Sequence, residues 1–207
     1  IDHQSTAASL VISWTASDTG SGIALYEYAL GATSGGVETV SWTANGTALT
    51  DTLTFSGQSL LTETTTYYLS VRATDAAGNV SAVSTGDGMY IDLTNPVAGT
   101  VIDGTTADIS YTASNSTLTF TWSGFSDGQS GIEYYNASIE DDGGISVVAV
   151  TNIGTVTTWT VNNLSLVNAK IYEGVIQAVD YAGNVSTEVS SSVIVDTDGP
   201  VIGQVAD

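Results

Sequence analysis

The chain has 207 residues and carries 22 Asp and Glu against only 2 Lys and Arg, which gives a formal net charge of -20 at pH 7. Such a surface repels nucleic-acid phosphates and anionic membranes, so we predict no nucleic-acid partner, while divalent cations are its natural counterions. The chain has 0 Cys, which excludes disulfides and thiolate chemistry. No apolar run reaches the roughly 20 residues of a membrane span, so no membrane insertion is expected.

The chain alternates apolar and polar residues with the period of β-strands. Near the start, Leu10, Ile12 and Trp14 alternate with polar or solvent-facing positions. Further along, Tyr67, Leu69, Val71 and Ala73 alternate in the same way, and Gly-, Asn- and Asp-rich turns separate such segments. Period-2 alternation broken by turn residues is typical of antiparallel sheets. No segment shows a capped helical period.

The sequence repeats itself. YYLSVRATDAAGNVS (67–81) recurs 105 residues later as YEGVIQAVDYAGNVS, and WTASDTGSGI (14–23) recurs as WSGFSDGQSGI (122–132). IDLTNPVAGTVID (91–103) recurs as VDTDGPVIGQVAD, and the pairs Ile1-Asp2, Ile102-Asp103 and Ala206-Asp207 suggest successive repeat starts. We therefore predict one module over 1–94, a second over 95–198, and the start of a third repeat or a trailing strand over 199–207.

These residues resemble the fibronectin type III family. Trp14 ends the second strand, and Leu61 precedes Tyr67 by six residues, a spacing that the second copy keeps. The resemblance implies an all-β fold of two tandem Ig-like or fibronectin type III-like Greek-key sandwiches. It also implies a tyrosine corner, in which the Tyr hydroxyl bonds to the backbone near the preceding Leu. The core residues implied in the two copies are Trp14, Leu61, Tyr67, Trp122, Leu166 and Tyr172.

One departure from that family concerns the first strand of the second module. About seven extra residues precede Trp122, compared with Trp14 in the first copy, so the path of this strand stays open. The segments A-x-D-x-A-G-N-x-S and D-x-T-x-P also resemble the repeats of large bacterial surface proteins and adhesins.

Residues that could support catalysis are scarce. His3 is the single histidine, and no nucleophile or phosphate-binding motif occurs, so we predict that the chain is not an enzyme. Asp141 and Asp142 are interpreted as a solvated hairpin turn in preference to an acid/base pair. Trp42 and Trp159 lie in alternating strands, which favours packing over sugar stacking.

Oxygen-bearing residues recur in loops that a sandwich of this topology brings to one end. Ca²⁺ takes six to eight oxygen ligands from carboxylates, amides and carbonyls, and these loops offer them. At the junction of the two modules we predict calcium ligation by Asp92, Asn95, Asp127, Asp180 and Asn184. The first module offers the equivalents Asp2, Asp18, Asp75 and Asn79, and Asp196 and Asp198 would serve a third module. The alternative is that these residues only form Asx turns, which the same residue types favour.

The repeats predict a mechanical function. We expect extender modules of a bacterial cell-surface or secreted adhesin, extracellular or at the cell surface, with neighbouring repeats as partners and calcium limiting hinge motion. The receptor is unknown from sequence. Two alternatives stay open: a carbohydrate- or protein-binding module, and accessory spacer domains of a secreted multidomain enzyme.

Overall fold

The computed structural model describes residues 1–57 and 60–204, and this part of the chain is built from β-strands joined by turns. None of its described segments forms a helix of the length and apolar character that crossing a bilayer requires. The chain divides into two compact units, the first of Ile1–Thr94 with Tyr181–Gly183 and the second of Asn95–Asp180 with Asn184 onward. We call them the first and second domains.

The first domain contains the strands β1 to β8. They are β1 (Asp2–Gln4), β2 (Ser9–Ser13), β3 (Ile23–Gly31), β4 (Val40–Ala44), β5 (Thr50–Thr54), β6 (Thr66–Asp75), β7 (Ser84–Thr85) and β8 (Met89–Ile91). One sheet has the order β1-β8-β6-β3-β4, with β7 also pairing with β6, and the other sheet pairs β2 with β5. Side chains of both sheets share one core, so the domain is a β-sandwich.

The second domain contains the strands β9 to β16. They are β9 (Thr100–Asp103), β10 (Tyr111–Thr112), β11 (Leu118–Ser123), β12 (Ile132–Asp141), β13 (Ser146–Asn152), β14 (Thr158–Val161), β15 (Ile171–Asp180) and β16 (Val189–Val195). Its two sheets have the orders β10-β16-β15-β12-β13 and β14-β11-β9. Phe120, Ile139, Ile176 and Val195 lie in its core with no exposed surface.

The tyrosine corner is present in both domains. The Tyr67 hydroxyl accepts a hydrogen bond from the Thr62 backbone N–H at 3.0 Å, and the Tyr172 hydroxyl accepts one from the Val167 N–H at 2.8 Å. Leu61 and Leu166 are buried beside these corners. Trp122 is buried, while Trp14 is half-buried and packs against the edge of its core. The fold and the corner are therefore as the sequence predicts.

The alignment of Ile1-Asp2 with Ile102-Asp103 is wrong. Asp2 lies in β1, which runs parallel to β8, and the strand of the second domain with this pairing is β10 beside β16. Ile102 and Asp103 instead belong to β9, which pairs antiparallel with β11. The extra residues before Trp122 follow from this arrangement, because they connect β9 in one sheet to β10 in the other. Residues 199–204 form no strand, and residues 205–207 lie outside the described part, so a third repeat stays a prediction.

Candidate metal-binding loops

In the second domain, two acidic loops meet at one end of the sandwich. Asp127 lies between β11 and β12, and Asp180 ends β15, and the two place carboxylate oxygens within 4.8 Å of each other. The Asp127 carboxylate accepts hydrogen bonds from the backbone N–H of Gln129 at 3.1 Å and of Gly131 at 2.5 Å. Asp180 is fully buried, and Asn184 donates to it from its backbone N–H and from its side-chain amide, each at 2.8 Å.

The first domain repeats this arrangement. Asp18 accepts from the N–H of Gly20 at 3.0 Å and of Gly22 at 2.7 Å, as Asp127 does with its own loop. Asp75 accepts from the backbone N–H and the side-chain amide of Asn79, each at 2.8 Å, and these bonds lower its pKa. Asp18, Asp75 and Asn79 line one cavity of about 250 Å³. The repeat therefore conserves a pair of acidic loops within each domain.

Asp18, Asp75 and Asp127 each form an Asx turn by accepting a hydrogen bond from the backbone N–H two residues on, and Asp180 accepts one from the N–H four residues on. These backbone N–H bonds fix the position of each carboxylate in its loop. A carboxylate has about four lone-pair sites, so such bonds leave acceptor capacity for a cation. The two interpretations of these residues, as turn formers and as calcium ligands, are therefore compatible.

The remaining predicted ligands lie at the ends of the domains. Asp92 follows β8 and is fully buried, and it accepts a hydrogen bond from the Thr94 N–H at 3.0 Å, whereas Asn95 is exposed. Asp2 is exposed on β1 and lines a different cavity from Asp18. Asp196 and Asp198 are exposed after β16, and Asp198 accepts from the Asn168 amide at 2.8 Å.

The segment that opens the second domain is fixed to one of the acidic loops. Val97 and Ser126 form a β-bridge with two backbone hydrogen bonds of 2.7 and 3.2 Å. Ser126 directly precedes Asp127, so the first residues of the domain lie beside the Asp127 loop.

The two basic side chains are both engaged. Lys170 forms an ion pair with Asp141, whose pKa it lowers, and Asp141 also accepts from the N–H of Gly143 and Ile145 at 2.9 and 3.0 Å. Arg72 pairs with Glu27 at 2.8 Å, and its guanidinium lies 4.4 Å from the centroid of the Trp42 ring. Trp159 packs against the core of the second domain.

Sequence reasoning missed one buried acidic group. Asp103 is 2% exposed and shares the Ser191 hydroxyl with Asp108, and burial followed by the Asp108 charge raises its pKa. Ser191 lies 88 residues away in the sequence, so its contact with Asp103 could not be inferred from neighbouring residues. The recurrence of the β9 segment was the one sequence signal at Asp103.

Comparison with models of known protein families gives no match. Among characterised proteins, exoglucanase B of Cellulomonas fimi is 33% identical over 208 residues, which cover 96% of this chain. The chain spans only 16% of the length of that relative.

Solved structures with similar folds include fibronectin(III)-like modules of CbhA from Clostridium thermocellum, with a TM-score of 0.57 and 17% identity over 98% of this chain and 95% of that one. The FN1–FN3 domains of chicken CNTN1 give a TM-score of 0.54 and 14% identity over 94% of this chain and 65% of theirs. The titin domains A168–A170 give a TM-score of 0.52 and 15% identity over 93% of this chain and 61% of theirs. These likenesses confirm the fibronectin type III-like fold.

Proposed function

Because the chain is a pair of fibronectin type III-like modules, we propose that it serves as accessory spacer domains of a secreted multidomain enzyme that degrades a polysaccharide. The observation that carries this proposal is the 33% identity to exoglucanase B, which extends over nearly all of this chain but a small part of that protein. In this proposal, catalysis belongs to other parts of the parent protein, and the modules separate them.

The composition suits a spacer outside the cell. Only 12% of the residues are charged, and the chain relies on Ser, Thr, Asn and acidic residues for solubility. The same mechanical property would serve an adhesin extender, which the repeats also predicted. The comparisons favour the enzyme as the parent protein.

A sugar-binding function has less support. Arg72 lies against the Trp42 ring, and Trp159 packs on the core of its domain, so each ring already makes a contact within its own domain. Aromatic platforms for sugars need an accessible ring face.

The spacer function can be tested in the parent enzyme. Replacing this chain by a Gly/Ser linker of equal residue number should leave the turnover of a soluble substrate unchanged and lower the turnover of an insoluble one. Such linkers are flexible coils and do not maintain a separation between domains. The isolated chain should stay in the supernatant when mixed with insoluble cellulose or xylan. Retention that a Trp42→Ala variant abolishes would replace the spacer function by a binding function.

We also propose that calcium binds where the second domain begins, with Asp127 and Asp180 as its carboxylate ligands. Two observations within the second domain support this: the short separation of the Asp127 and Asp180 oxygens, and the Val97–Ser126 bridge beside Asp127. A cation there would hold the Asp127 loop against the end of β15.

Calorimetric titration with Ca²⁺ tests the site. Binding at a dissociation constant 100-fold below the free calcium concentration would stabilise the chain by about 2.7 kcal/mol. Asp127→Asn and Asp180→Asn should each abolish that stabilisation, whereas Asp196→Asn should leave it intact. Equal melting temperatures in calcium and in a chelator would contradict the proposal.

A further inference from the structure

Two carboxylates and one hydroxyl meet in the second domain where its two sheets face each other. Asp103 ends β9 in one sheet, Ser191 lies in β16 in the other, and Asp108 lies in the connection between β9 and β10. The Ser191 hydroxyl contacts the Asp103 carboxylate and lies 3.1 Å from the Asp108 carboxylate. The same Asp108 oxygen accepts a hydrogen bond from the Asp103 backbone N–H at 3.2 Å.

The Asp103 carboxylate is incompletely satisfied. Asp103 is 2% exposed, and its Oδ1 contacts the Ser191 hydroxyl. Its Oδ2 is also buried and has no hydrogen-bond partner among the described residues. A polar oxygen that is buried without a partner loses its hydration and gains nothing in return. The Oδ2 atom therefore indicates a ligand that the protein itself does not supply.

No basic side chain balances the two carboxylates of this cluster. The chain has only 2 Lys and Arg, and both Arg72 and Lys170 form ion pairs with other acidic residues. Burial, and after it the charge of Asp108, raises the pKa of Asp103, because two like charges are costly to hold together away from water. A shared proton or a bound cation relieves such repulsion.

The hydrogens available at the cluster favour a cation over a proton. The Ser191 hydroxyl has one hydrogen, so it donates to one of the two carboxylates at a time. One added proton would complete the second contact to Ser191 but would leave the Asp103 Oδ2 without a partner. A cation takes lone pairs from several oxygens at once, and the waters that it carries donate hydrogen bonds to nearby oxygens.

The spacing of the oxygens fits a small cation. Mg²⁺ holds an octahedron of ligands at about 2.1 Å, so neighbouring ligand oxygens lie about 3 Å apart. The Asp108 Oδ1 and the Ser191 Oγ are 3.1 Å apart. Ca²⁺ has longer bonds and takes about six to eight oxygens, which spreads its ligands further.

A cavity beside the cluster fits the water that Mg²⁺ retains. Asp103 lines this cavity of about 290 Å³ together with the hydroxyl-bearing Thr112 and Thr119. Mg²⁺ sheds its hydration reluctantly and is usually held by one or two carboxylates with several waters. Two carboxylates, one hydroxyl and a polar cavity meet that requirement.

We propose that Asp103, Asp108 and Ser191 bind Mg²⁺, with water as the remaining ligands. The ion joins β9 to β16, which belong to different sheets, and fixes the connection between β9 and β10 to both strands. This site shares no ligand with the calcium site proposed at Asp127 and Asp180.

Mn²⁺ tests the position of the site, because it shares the octahedral oxygen coordination of Mg²⁺. Added in substoichiometric amount to ¹⁵N-labelled chain, it should broaden the amide signals of Gly104, Asp108 and Ser191, and excess Mg²⁺ should restore them. Asp108→Asn keeps an oxygen that can accept from the Asp103 N–H but loses the charge, and should abolish the broadening of these signals. Glu188→Gln removes the same charge from an exposed side chain outside the cluster and should behave like the wild type.

Thermal unfolding measures the effect of the ion on stability. In an Asp127→Asn background, which removes the proposed calcium site, about 10 mM Mg²⁺ should raise the melting temperature of the second domain relative to a chelator. Adding Asp108→Asn should raise the dissociation constant for Mg²⁺ about tenfold or more, because one of two charged ligands is lost. Adding Glu188→Gln should leave that constant unchanged.

A shared proton is the outcome that overturns the proposal. In that case Mn²⁺ leaves Gly104 and Ser191 unbroadened, the melting temperature is equal in Mg²⁺ and in chelator, and carboxyl ¹³C titration gives the same curves for Asp103 and Asp108 in both. Broadening of Gly104 and Ser191 that Asp127→Asn abolishes would assign the ion to the calcium site and would equally overturn it.

Discussion

A Cβ added to Gly174 would lie 2.5 Å from the Phe120 ring, so in the second domain this glycine makes room for a large aromatic side chain in the core. At the equivalent positions the first domain has Leu69 and Ile12, both in contact with its core. The two domains thus fill the same space between their sheets with different pairs of side chains.

The first prediction follows from this exchange of volume. Gly174→Leu should destabilise the second domain by about 1–3 kcal/mol, because it forces an extra side chain into a packed core. Phe120→Ile alone should also destabilise it, by leaving a cavity. The double variant should lose less stability than the two single variants lose together, with a coupling free energy of at least about 0.5 kcal/mol. Urea unfolding of the four proteins measures this coupling, and additive losses would contradict it.

The tyrosine corners give a second prediction. Tyr67→Phe and Tyr172→Phe each leave a backbone N–H, of Thr62 or Val167, without its acceptor. Because Thr62 and Val167 are exposed, water can reach these donors, and the loss is that of one hydrogen bond, about 0.5–1.5 kcal/mol. We expect each variant to lower the unfolding free energy of its own domain by that amount, as read by thermal and urea unfolding. Tyr111→Phe, at a residue 62% exposed, serves as the control and should change stability by less than about 0.5 kcal/mol.

A third prediction concerns the charge state of Asp75. Its hydrogen bonds from the side chain and backbone of Asn79 lower its pKa, so the folded state holds the ionised form. Stability from this group is present above the ordinary Asp pKa and is lost as the pH falls through the lowered pKa. Asn79→Ala should raise the Asp75 pKa, measured by carboxyl ¹³C titration. Asn45→Ala, in a loop of the same domain, should leave it unchanged.

Asp103 gives the opposite pH dependence. Burial raises its pKa, so between the ordinary Asp pKa and that raised value the folded state binds more protons than the unfolded state. Stability therefore falls as the pH rises through this window, by at most about 1.4 kcal/mol per pH unit for one proton. Asp103→Asn removes this loss.

Calorimetry of the wild type and Asp103→Asn across pH 3 to 8 checks this fourth prediction. The melting temperature of the variant relative to the wild type should increase with pH. Asp108→Asn, which removes the neighbouring charge, should give a smaller increase. A difference independent of pH would show that Asp103 does not titrate abnormally.

The sandwich fold was predictable because its signals are local. Alternating apolar residues mark the core strands, and the six-residue spacing of Leu61 and Tyr67 indicates a corner that one hydrogen bond completes. The acidic loops were predictable for the same reason, since the repeat places Asp75 and Asp180 at the end of a recognisable strand and Asp18 and Asp127 in the loop that precedes the next strand.

The first strand was not predictable, because its partner is not encoded in its own residues. Ile1-Asp2 and Ile102-Asp103 are the same dipeptide, yet Asp2 lies in a strand that pairs with β8, and Ile102 and Asp103 lie in one that pairs with β11. Strands at the edge of a sandwich can join either sheet, and only packing against distant residues decides between them. The contact of Asp103 with Ser191 depends on that choice and could not be inferred either.

The engagement of both basic residues has a consequence for the lifetime of the protein. Proteases that cleave after Lys or Arg find only 2 such residues in the whole chain. Arg72 lies within β6 under Trp42 and Glu27, and Lys170 is tied to Asp141 immediately before β15. Cleavage requires an extended, accessible segment, so local unfolding must precede it at both sites. In fluids rich in trypsin-like enzymes, this pair of domains should therefore resist proteolysis.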